Sequence, residues 1–307
     1  MQVILGASGQ IGTEVALALR REFTSEIRLV SRNPKRVNAS DQLHSADLLD
    51  AAQTLKAVEG AEIAYLTAGL PMDTQLWVKQ WPLMMQNVIA ACAATGCKLV
   101  YFDNTYMYPQ TAVPQTEGTA FKPNGAKGRV RAAIVSDLLA AIAQGRVQGM
   151  VCRAPEFYGP GNTQSITNTT IIEPLRQGKA AKVLLRDDRL RSLIFTPDAS
   201  RAMAHLGNAP DAYGETWHLP CDDQRLTYRQ FIALAAEVFG SAARYRVVPA
   251  WQLRLAGLLS TQLRDAAELL PRYAVDNVFA SDKFKQRFPG FVVTSYREGL
   301  RRIAAEP

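Results

Sequence analysis

Histidine and cysteine are scarce in this chain of 307 residues, three and four in number, so a metal centre has little to be built from. His44, His205 and His218 are dispersed, and Cys92, Cys97, Cys152 and Cys221 form no CxxC pair, so no metal site is expected. The four thiols are expected to stay reduced in the core of a large domain. Long apolar runs are missing as well. None approaches the ~18 consecutive residues that span a bilayer, and the segment Met84 to Ala94 is broken by Gln86 and Asn87. Only Val3, Ile4 and Leu5 separate Gln2 from the first glycine, leaving neither a charged n-region nor a long h-region for a signal peptide. The expected setting is the cytoplasm, with no membrane partner.

Low-complexity tracts and solenoid-length repeats are also absent. The chain has 35 Lys+Arg against 28 Asp+Glu, a net charge of +7. The basic residues are scattered among aliphatic ones, and the densest group, Arg186 to Arg191, contains Asp187 and Asp188. Without a basic stripe interleaved with aromatics, nucleic acid is not the expected partner, and an anionic small ligand accounts for the surplus. With 48% hydrophobic and 21% charged residues the composition is that of a folded globular protein. Its length suits one α/β domain carrying a second lobe.

Short apolar runs alternate with helical periodicity through the first half, the signature of βαβ units and a parallel sheet. The pattern predicts strands at Gln2–Leu5, Ile27–Ser31, Gln42–His44, Ile63–Leu66, Leu99–Phe102 and Gly149–Arg153. Helices are predicted over Ile11–Arg21, Ala51–Val58, Leu76–Ala94 and Gly128–Ala143, the last with Val130, Ile134, Leu138 and Ala141 on one face. His218, within Thr216-Trp217-His218-Leu219, reads as a strand position. Beyond Arg153 the regularity weakens at Pro155, Gly159, Pro160 and Gly161. The reading is an α/β nucleotide-binding lobe with a parallel sheet over 1–153 and a smaller C-terminal lobe over 154–307.

Gly6-Ala7-Ser8-Gly9-Gln10-Ile11-Gly12 follows an aliphatic strand and opens an amphipathic helix. Glycines there let backbone N–H groups approach a pyrophosphate at the positive end of the helix. An NAD site usually has a carboxylate at the end of the second strand. Here that end reads Ser31-Arg32-Asn33-Pro34-Lys35-Arg36, and Arg32, helped by Ser31, is suited to a 2′-phosphate. NADP(H) is therefore favoured, with NAD(H) as the alternative. A solvated basic loop is the plainer reading of the same residues. Asp47, followed by Leu48, is placed to accept from an adenine amino group or to cap the helix at Ala51, a role for which Asp50 competes.

With these residues the chain resembles the short-chain dehydrogenase/reductase superfamily, in its extended nucleoside-diphosphate-sugar epimerase/dehydratase branch. Asp47-Leu48 looks like the adenine-binding pair and Ala68-Gly69 like the end of the family's NAG segment. Tyr158-Gly159-Pro160-Gly161 looks like its YGPG turn, and Arg191 to Asp198 resembles its RxFxxVxD segment. Ser281-Asp282-Lys283-Phe284 and Ser295 to Leu300 also look like family landmarks. The resemblance implies a doubly wound, Rossmann-like first domain, a nucleotide along the C-terminal edge of its sheet, and a substrate cleft roofed by a smaller α/β lobe, some of whose segments return to the first domain. It also implies cofactor contacts from Gly6, Ser8, Gly9, Gln10, Ile11, Gly12, Ser31, Arg32, Asp47, Leu48, Ala68 and Gly69.

The family's Tyr-x-x-x-Lys motif has no counterpart. None of the ten tyrosines has a lysine four residues later, and in Phe121 to Gly128 the motif positions are held by Asn124 and Gly128. Asn104, in Phe102-Asp103-Asn104-Thr105-Tyr106-Met107-Tyr108, stands where the family's SSxxVY segment carries a hydroxyl. Losing a positioned phenol removes about 10²–10⁴ in rate. Substitutes within reach are Tyr106 or Tyr108 as proton donor, with Thr105 polarising a carbonyl. The plainer reading makes Tyr108 a packing residue. Asn104, Lys127, Tyr158 and Arg191 are the candidate substrate contacts, Arg191 for a phosphate. The expected partner is a small molecule, phosphorylated or nucleotide-linked, and a homodimer through the two long helices is open. Two functions follow: an NADP(H)-binding oxidoreductase or epimerase-like enzyme, or a non-catalytic NAD(P)(H)-binding sensor or interaction protein.

Overall fold

A computed structural model describes residues 1–161 and 164–306. Its first half runs β1 (Gln2–Leu5), α1 (Gln10–Glu22), β2 (Ile27–Ser31), β3 (Gln42–Ser45), α2 (Ala51–Val58), β4 (Ile63–Leu66), α3 (Thr74–Thr95), β5 (Lys98–Asp103), α4 (Gly125–Ala143) and β6 (Gly149–Arg153). The second half holds β7 (Glu156–Tyr158), α5 (Glu173–Arg176), β8 (Ala181–Leu184), β9 (Leu190–Arg191), β10 (Leu193–Phe195), α6 (Thr196–Gly207) and β11 (Thr216–His218). It continues with β12 (Leu226–Thr227), α7 (Tyr228–Phe239), β13 (Tyr245–Val248), α8 (Ala250–Leu259), α9 (Thr261–Ala266), a 3₁₀ turn over Ala267–Tyr273, α10 (Asp282–Arg287) and α11 (Tyr296–Ala304).

Every residue of β1, β4 and β6 is buried, as expected of strands covered on both faces. They lie in a seven-stranded parallel sheet of order β3–β2–β1–β4–β5–β6–β11, with registers such as Val3 opposite Arg28 and Ala64. Side chains alternate across a strand, so Val3 and Leu5 join Trp81, Met85, Val88, Ile134 and Leu138 on the α3/α4 face. Ile4 joins Val15, Leu19, Ala202 and Met203 on the α1/α6 face. The fold is thus a Rossmann-like doubly wound sheet. The second lobe has its own core, built from Ile171, Leu175, Val183, Leu193, Phe231, Ile232 and Leu300. No described helix is long and apolar enough to cross a membrane.

Helix starts are where the structure departs from the expected boundaries. Asp73 caps α3 by accepting from Leu76 N at 3.0 Å, and Asp265 accepts from Thr74 N at 2.8 Å. The N-cap of α4, Asn124, makes no side-chain capping bond. Glu268 takes its place, accepting from Ala126 N at 2.7 Å and Lys127 N at 2.8 Å. Both helices therefore begin earlier than local periodicity suggests, because partners distant in sequence satisfy their free N–H groups.

Gly12 lets α1 lie close on the sheet edge, since a β-carbon there would stand 2.9 Å from Ala7 Cα, Gly6 O and Thr67 Oγ1. Gly12→Ala is expected to lower unfolding free energy by about 1–3 kcal/mol. The signature is a lower urea midpoint at an unchanged m-value.

Candidate functional site

The turn between β1 and α1 lies at the C-terminal edge of the sheet, where β1 ends at Leu5 and α1 begins at Gln10. Gly6 has φ of +95°, and a β-carbon on it would lie 2.5 Å from the Ala68 backbone. Ala68 thus packs directly under the turn, with Gly69 beyond it. Gly9 is the N-cap of α1 and offers no side-chain cap. The nearest atom to a β-carbon there would be Gly6 O at 3.5 Å, so the helix N-terminus is unobstructed. An uncapped, partly positive helix end beside a glycine turn suits an anionic pyrophosphate, and the residues present fit a dinucleotide. The Ser8 and Ser31 hydroxyls are 2.6 Å apart, and Ser8 Oγ also donates to Asn33 O at 3.3 Å. Gln10 turns toward the second lobe, its amide nitrogen donating to Pro160 O and, at 2.9 Å, to Thr196 Oγ1. Ile11 is buried, and its carbonyl accepts from Ser200 Oγ at 3.2 Å.

Arg32 is exposed just beyond β2 and makes no ion pair among the described residues. Asp50 caps α2 through Gln53 N, so the capping role left open for Asp47 falls to its neighbour. Asp47 instead closes a local turn, accepting from Leu49 N at 3.0 Å while its own N–H donates to Gln53 Oε1 at 2.9 Å. Leu48 is buried, and its carbonyl accepts from Asn87 Nδ2.

Beyond this turn, the ends of β5 and β6 carry a buried charge cluster. Asp103 accepts from Arg153 Nε at 3.0 Å and lies 3.6 Å from Arg131 Nη1. Arg131 donates to the Tyr101 hydroxyl and sits 4.0 Å from the Trp81 ring centre and 5.0 Å from that of Trp77. Such contacts favour guanidinium where water is excluded. Arg153 Nη1 donates to the Tyr108 hydroxyl at 2.7 Å. Arginine only donates, so the Tyr108 proton is assigned to His218 Nε2 at 2.8 Å, and His218 Nδ1–H to Ala280 O at 2.7 Å. Burial pushes His218 down to about 3, so the ring is neutral and the Tyr108 hydroxyl is held on both sides.

Thr105 and Tyr106 lie next to this cluster. Asn104 Oδ1 accepts from Tyr106 N at 2.9 Å, which shapes the loop. The Tyr106 ring stacks on Trp77 at 6.0 Å, and Arg272 lies 5.3 Å from its centre. Thr105 Oγ1 accepts from Arg272 Nη2 at 3.0 Å. Burial raises the Tyr106 pKa, with Arg272 and Arg131 opposing the rise. Both Thr105 and Tyr106 line a pocket that opens beneath the 3₁₀ turn.

The remaining candidates are held in the protein. Lys127 is fully buried, with Nζ donating to Thr74 Oγ1 at 2.5 Å and Asp265 O at 2.7 Å. Desolvation lowers its pKa. Tyr158 packs among Phe195, Phe231 and Tyr296 in the second-lobe core. Arg191 is 3.0 Å from Glu156 Oε2, and its Nη1 donates to Arg272 O at 2.8 Å. Gly128 lies so close to the β5 loop that a β-carbon would stand 2.7 Å from Tyr106 O. Sequence reasoning missed Glu268, Arg272, Glu156 and the Asp103–Arg153 pair. A charged residue closing an otherwise apolar strand was an available signal for Asp103 and Arg153. Glu268 and Arg272 had none, because their partners are far away in the chain.

The model of the NAD dependent epimerase/dehydratase family matches residues 2–219. No curated protein matches the sequence. Among solved structures, UDP-glucose 4-epimerase from Thermus thermophilus, complexed with NAD, is 17% identical, with 99% of this chain and 98% of that one covered and a TM-score of 0.77. UDP-glucuronic acid 4-epimerase from Bacillus cereus, also with NAD, is 15% identical over 99% and 97% of the two chains, with a TM-score of 0.79. A double mutant of dTDP-glucose 4,6-dehydratase from Streptomyces venezuelae, with NAD bound, is 15% identical over 99% and 95%, with a TM-score of 0.80. At these identities the likeness is one of fold.

The packing around His218 and around Gly128 can be tested by stability. His218 has a folded pKa of about 3 against an ordinary value of 6.5, so between those values the unfolded chain takes up a proton that the folded chain does not. Through this group, stability falls by roughly 1.5 kcal/mol from pH 6.5 to 5. Urea unfolding across that window is expected to show a smaller loss for His218→Gln. The double variant Asn124→Tyr, Gly128→Lys, which writes the Tyr-x-x-x-Lys motif into the chain, is expected to melt at a lower temperature than the parent, because the new side chain meets the Tyr106 carbonyl.

Proposed function

The chain belongs to the NAD dependent epimerase/dehydratase family, in the extended short-chain dehydrogenase/reductase superfamily, and we propose that it is an NADP(H)-binding oxidoreductase or epimerase-like enzyme. Its substrate is a small carbonyl compound or a sugar-nucleotide-like molecule, and its chemistry proceeds without the Tyr-x-x-x-Lys pair. Gly6, Gly9 and Gly12 shape the cradle for the pyrophosphate, with Ser8, Gln10 and Ile11 bordering it. Ser31 and Arg32 face the adenosine ribose, Asp47 and Leu48 the adenine, and Ala68 and Gly69 the inner half of the dinucleotide. Arg32 is free to pair with a 2′-phosphate, which favours NADP(H) over NAD(H). The substrate class is supported by the structural neighbours, two of which are a UDP-glucose 4-epimerase and a UDP-glucuronic acid 4-epimerase.

The observation that carries the mechanism is the contrast between two phenols. The Tyr108 hydroxyl is engaged by Arg153 and His218. Tyr106 lines the pocket, and its hydroxyl has no hydrogen-bond partner among the described residues. The nicotinamide, when bound, supplies or accepts hydride. Tyr106 delivers a proton to a carbonyl oxygen becoming an alkoxide; burial opposes that release by raising its pKa, and the Arg272 and Arg131 cations favour it. Thr105 accepts from Arg272, which leaves its own O–H free to donate to the same oxygen. The Arg272 cation offsets the negative charge that develops there. Asn104 orients the loop that presents both hydroxyls.

The alternative, a non-catalytic NAD(P)(H)-binding sensor or interaction protein, is favoured by one feature. Glu268 covers the α4 N-terminus beside Asn124, where the family's tyrosine would stand, and Lys127 is buried instead of facing a ligand. Exposed Val78 and Leu83 on α3 support a homodimer through that helix and α4.

Fluorescence titration of nucleotide-free protein with NADPH and NADH tests the cofactor. Saturable binding that prefers NADPH is expected, with the preference reduced about 10-fold or more in Arg32→Ala. Failure to bind either nucleotide rejects the enzyme and the sensor alike. For catalysis, Tyr106→Phe is expected to lower turnover of a carbonyl substrate by about 10²–10⁴ with nucleotide binding intact. Unchanged turnover leaves the sensor reading.

A further inference from the structure

Helix α8 follows β13 directly and turns its apolar face to the outside. Trp251, Arg254, Leu255 and Leu258 stand at i, i+3, i+4 and i+7, the spacing of the stripe that a surface helix ordinarily lays against its core. Here the stripe points the other way: Trp251 is 60% exposed, Leu255 55% and Leu258 81%. The helix rests on a different side, where Gly257 meets α9 and a β-carbon would stand 3.4 Å from Arg264 Cα. It packs on α9 and on the 3₁₀ turn, and none of its described side chains is buried. The other three tryptophans, Trp77, Trp81 and Trp217, lie in the interior. Three large apolar side chains side by side on one exposed ridge are the mark of an interaction surface.

The charge around the ridge has one sign. No acidic residue occurs between Glu237 and Asp265, a stretch that holds Arg244, Arg246, Arg254 and Arg264. In the two-stranded sheet that leads into α8, Arg246 stands directly opposite Lys182 of β8, and both are exposed. Like charges in facing positions repel each other. Neither cation makes an ion pair among the described residues, and Arg254, beside the apolar stripe, makes none either. The acids on the loop after β8 are engaged elsewhere, Asp187 with Arg229 at 3.1 Å and the Tyr245 hydroxyl at 2.8 Å, Asp188 with Arg186 at 2.6 Å. Arg246 precedes Trp251 by five positions, so their Cα atoms lie within about 18 Å of each other. The cations and the apolar ridge therefore belong to one region of the surface.

We propose that α8 and the β8/β13 pair form a peripheral docking surface for a bilayer that carries anionic lipid. Trp251, Leu255 and Leu258 enter the boundary between headgroups and acyl chains, while Arg254, Arg246 and Lys182 meet lipid phosphates. A bilayer supplies both things this region lacks, an apolar medium and negative charge. A second copy of the chain supplies only the first, because a two-fold interface sets the same patch against itself and brings these cations together. The expectation of no membrane partner rests on the lack of long apolar runs, which excludes a span; a helix lying on the surface needs only one apolar face. One short helix holds on weakly by itself, so the cations carry part of the affinity and the association is reversible and sensitive to salt. The inference is independent of the nucleotide and of the reaction.

Titration of the full chain with vesicles of phosphatidylcholine, alone or mixed with an equal part of phosphatidylglycerol, tests this by tryptophan fluorescence and co-sedimentation. With the anionic vesicles Trp251 emission is expected to shift to the blue and to be quenched by brominated acyl chains, a response that Trp251→Phe abolishes. Phosphatidylcholine alone is expected to bind about 10-fold or more weakly, and added salt narrows that difference. Leu255→Ser combined with Leu258→Ser lowers co-sedimentation by about 10-fold or more. Lys182→Gln combined with Arg246→Gln reduces the preference for the anionic vesicles by about 10-fold. Melting temperatures of the variants close to that of the parent separate lost binding from lost folding. No binding of the parent chain to anionic vesicles, equal binding to both compositions, a fluorescence shift that survives Trp251→Phe, or binding that survives the two leucine substitutions overturns the proposal. A dimer that dissociates on those leucine substitutions, in a parent chain that ignores vesicles, assigns the face to a second copy and overturns it as well.

Discussion

Asp103 sits where water does not reach, and it has to serve two guanidinium groups at once. Arg153 takes one carboxylate oxygen at 3.0 Å and Arg131 approaches the other at 3.6 Å. A charge cluster with more arginine than carboxylate is stable in such a place only if other groups absorb the surplus. Two tryptophan rings do this for Arg131, while the Tyr108 phenol and, through it, neutral His218 do so for Arg153. Much of the arrangement at the ends of β5 and β6 follows. Tyr108 is tied down, Trp77 is fixed over Arg131, and Tyr106 stacks on Trp77 with its hydroxyl left free.

The second constraint is the use of C-terminal carboxylates as helix caps. Asp265 and Glu268 close the N-termini of α3 and α4, and Lys127 lies beneath them with its ammonium on Thr74 and Asp265. The 3₁₀ turn that carries Glu268 also carries Arg272, so the capping that starts α4 delivers a cation to Thr105 and Tyr106. Stability and site chemistry share one segment. Gly128 belongs to the same design, because its lack of a side chain lets α4 approach the Tyr106 carbonyl. Glycine at position 128 is therefore a packing requirement of this loop.

The nucleotide-binding half was legible because its signals are local. A glycine turn between an apolar strand and an amphipathic helix states its own geometry, and Gly6 and Gly12 each have a separate steric reason to be glycine, while Gly9 leaves the helix N-terminus without a side chain. Strand positions were equally plain, since burial on both faces leaves runs such as Val3-Ile4-Leu5 with little freedom. The region beyond β5 was less legible. Tyr106 and Tyr108 have the same local chemistry and similar neighbours in sequence, and nothing in the sequence separates the phenol that lines a pocket from the one bonded to Arg153 and His218.

What the sequence by itself determined is the parallel sheet, the order of its first helices and the glycine cradle, all of which depend on periodicity and backbone sterics within a few residues. Tertiary structure alone decided which charges are paired. Lys127 and Arg191 look like ligand contacts in the chain, yet burial beside Asp265 and Glu156 engages them inside the protein. Arg272 carries no local signal and ends up without an ion-pair partner among the described residues, beside Tyr106. The reason is physical: Coulomb and desolvation energies depend on distance in space and on exclusion of water, and neither is encoded in spacing along the chain.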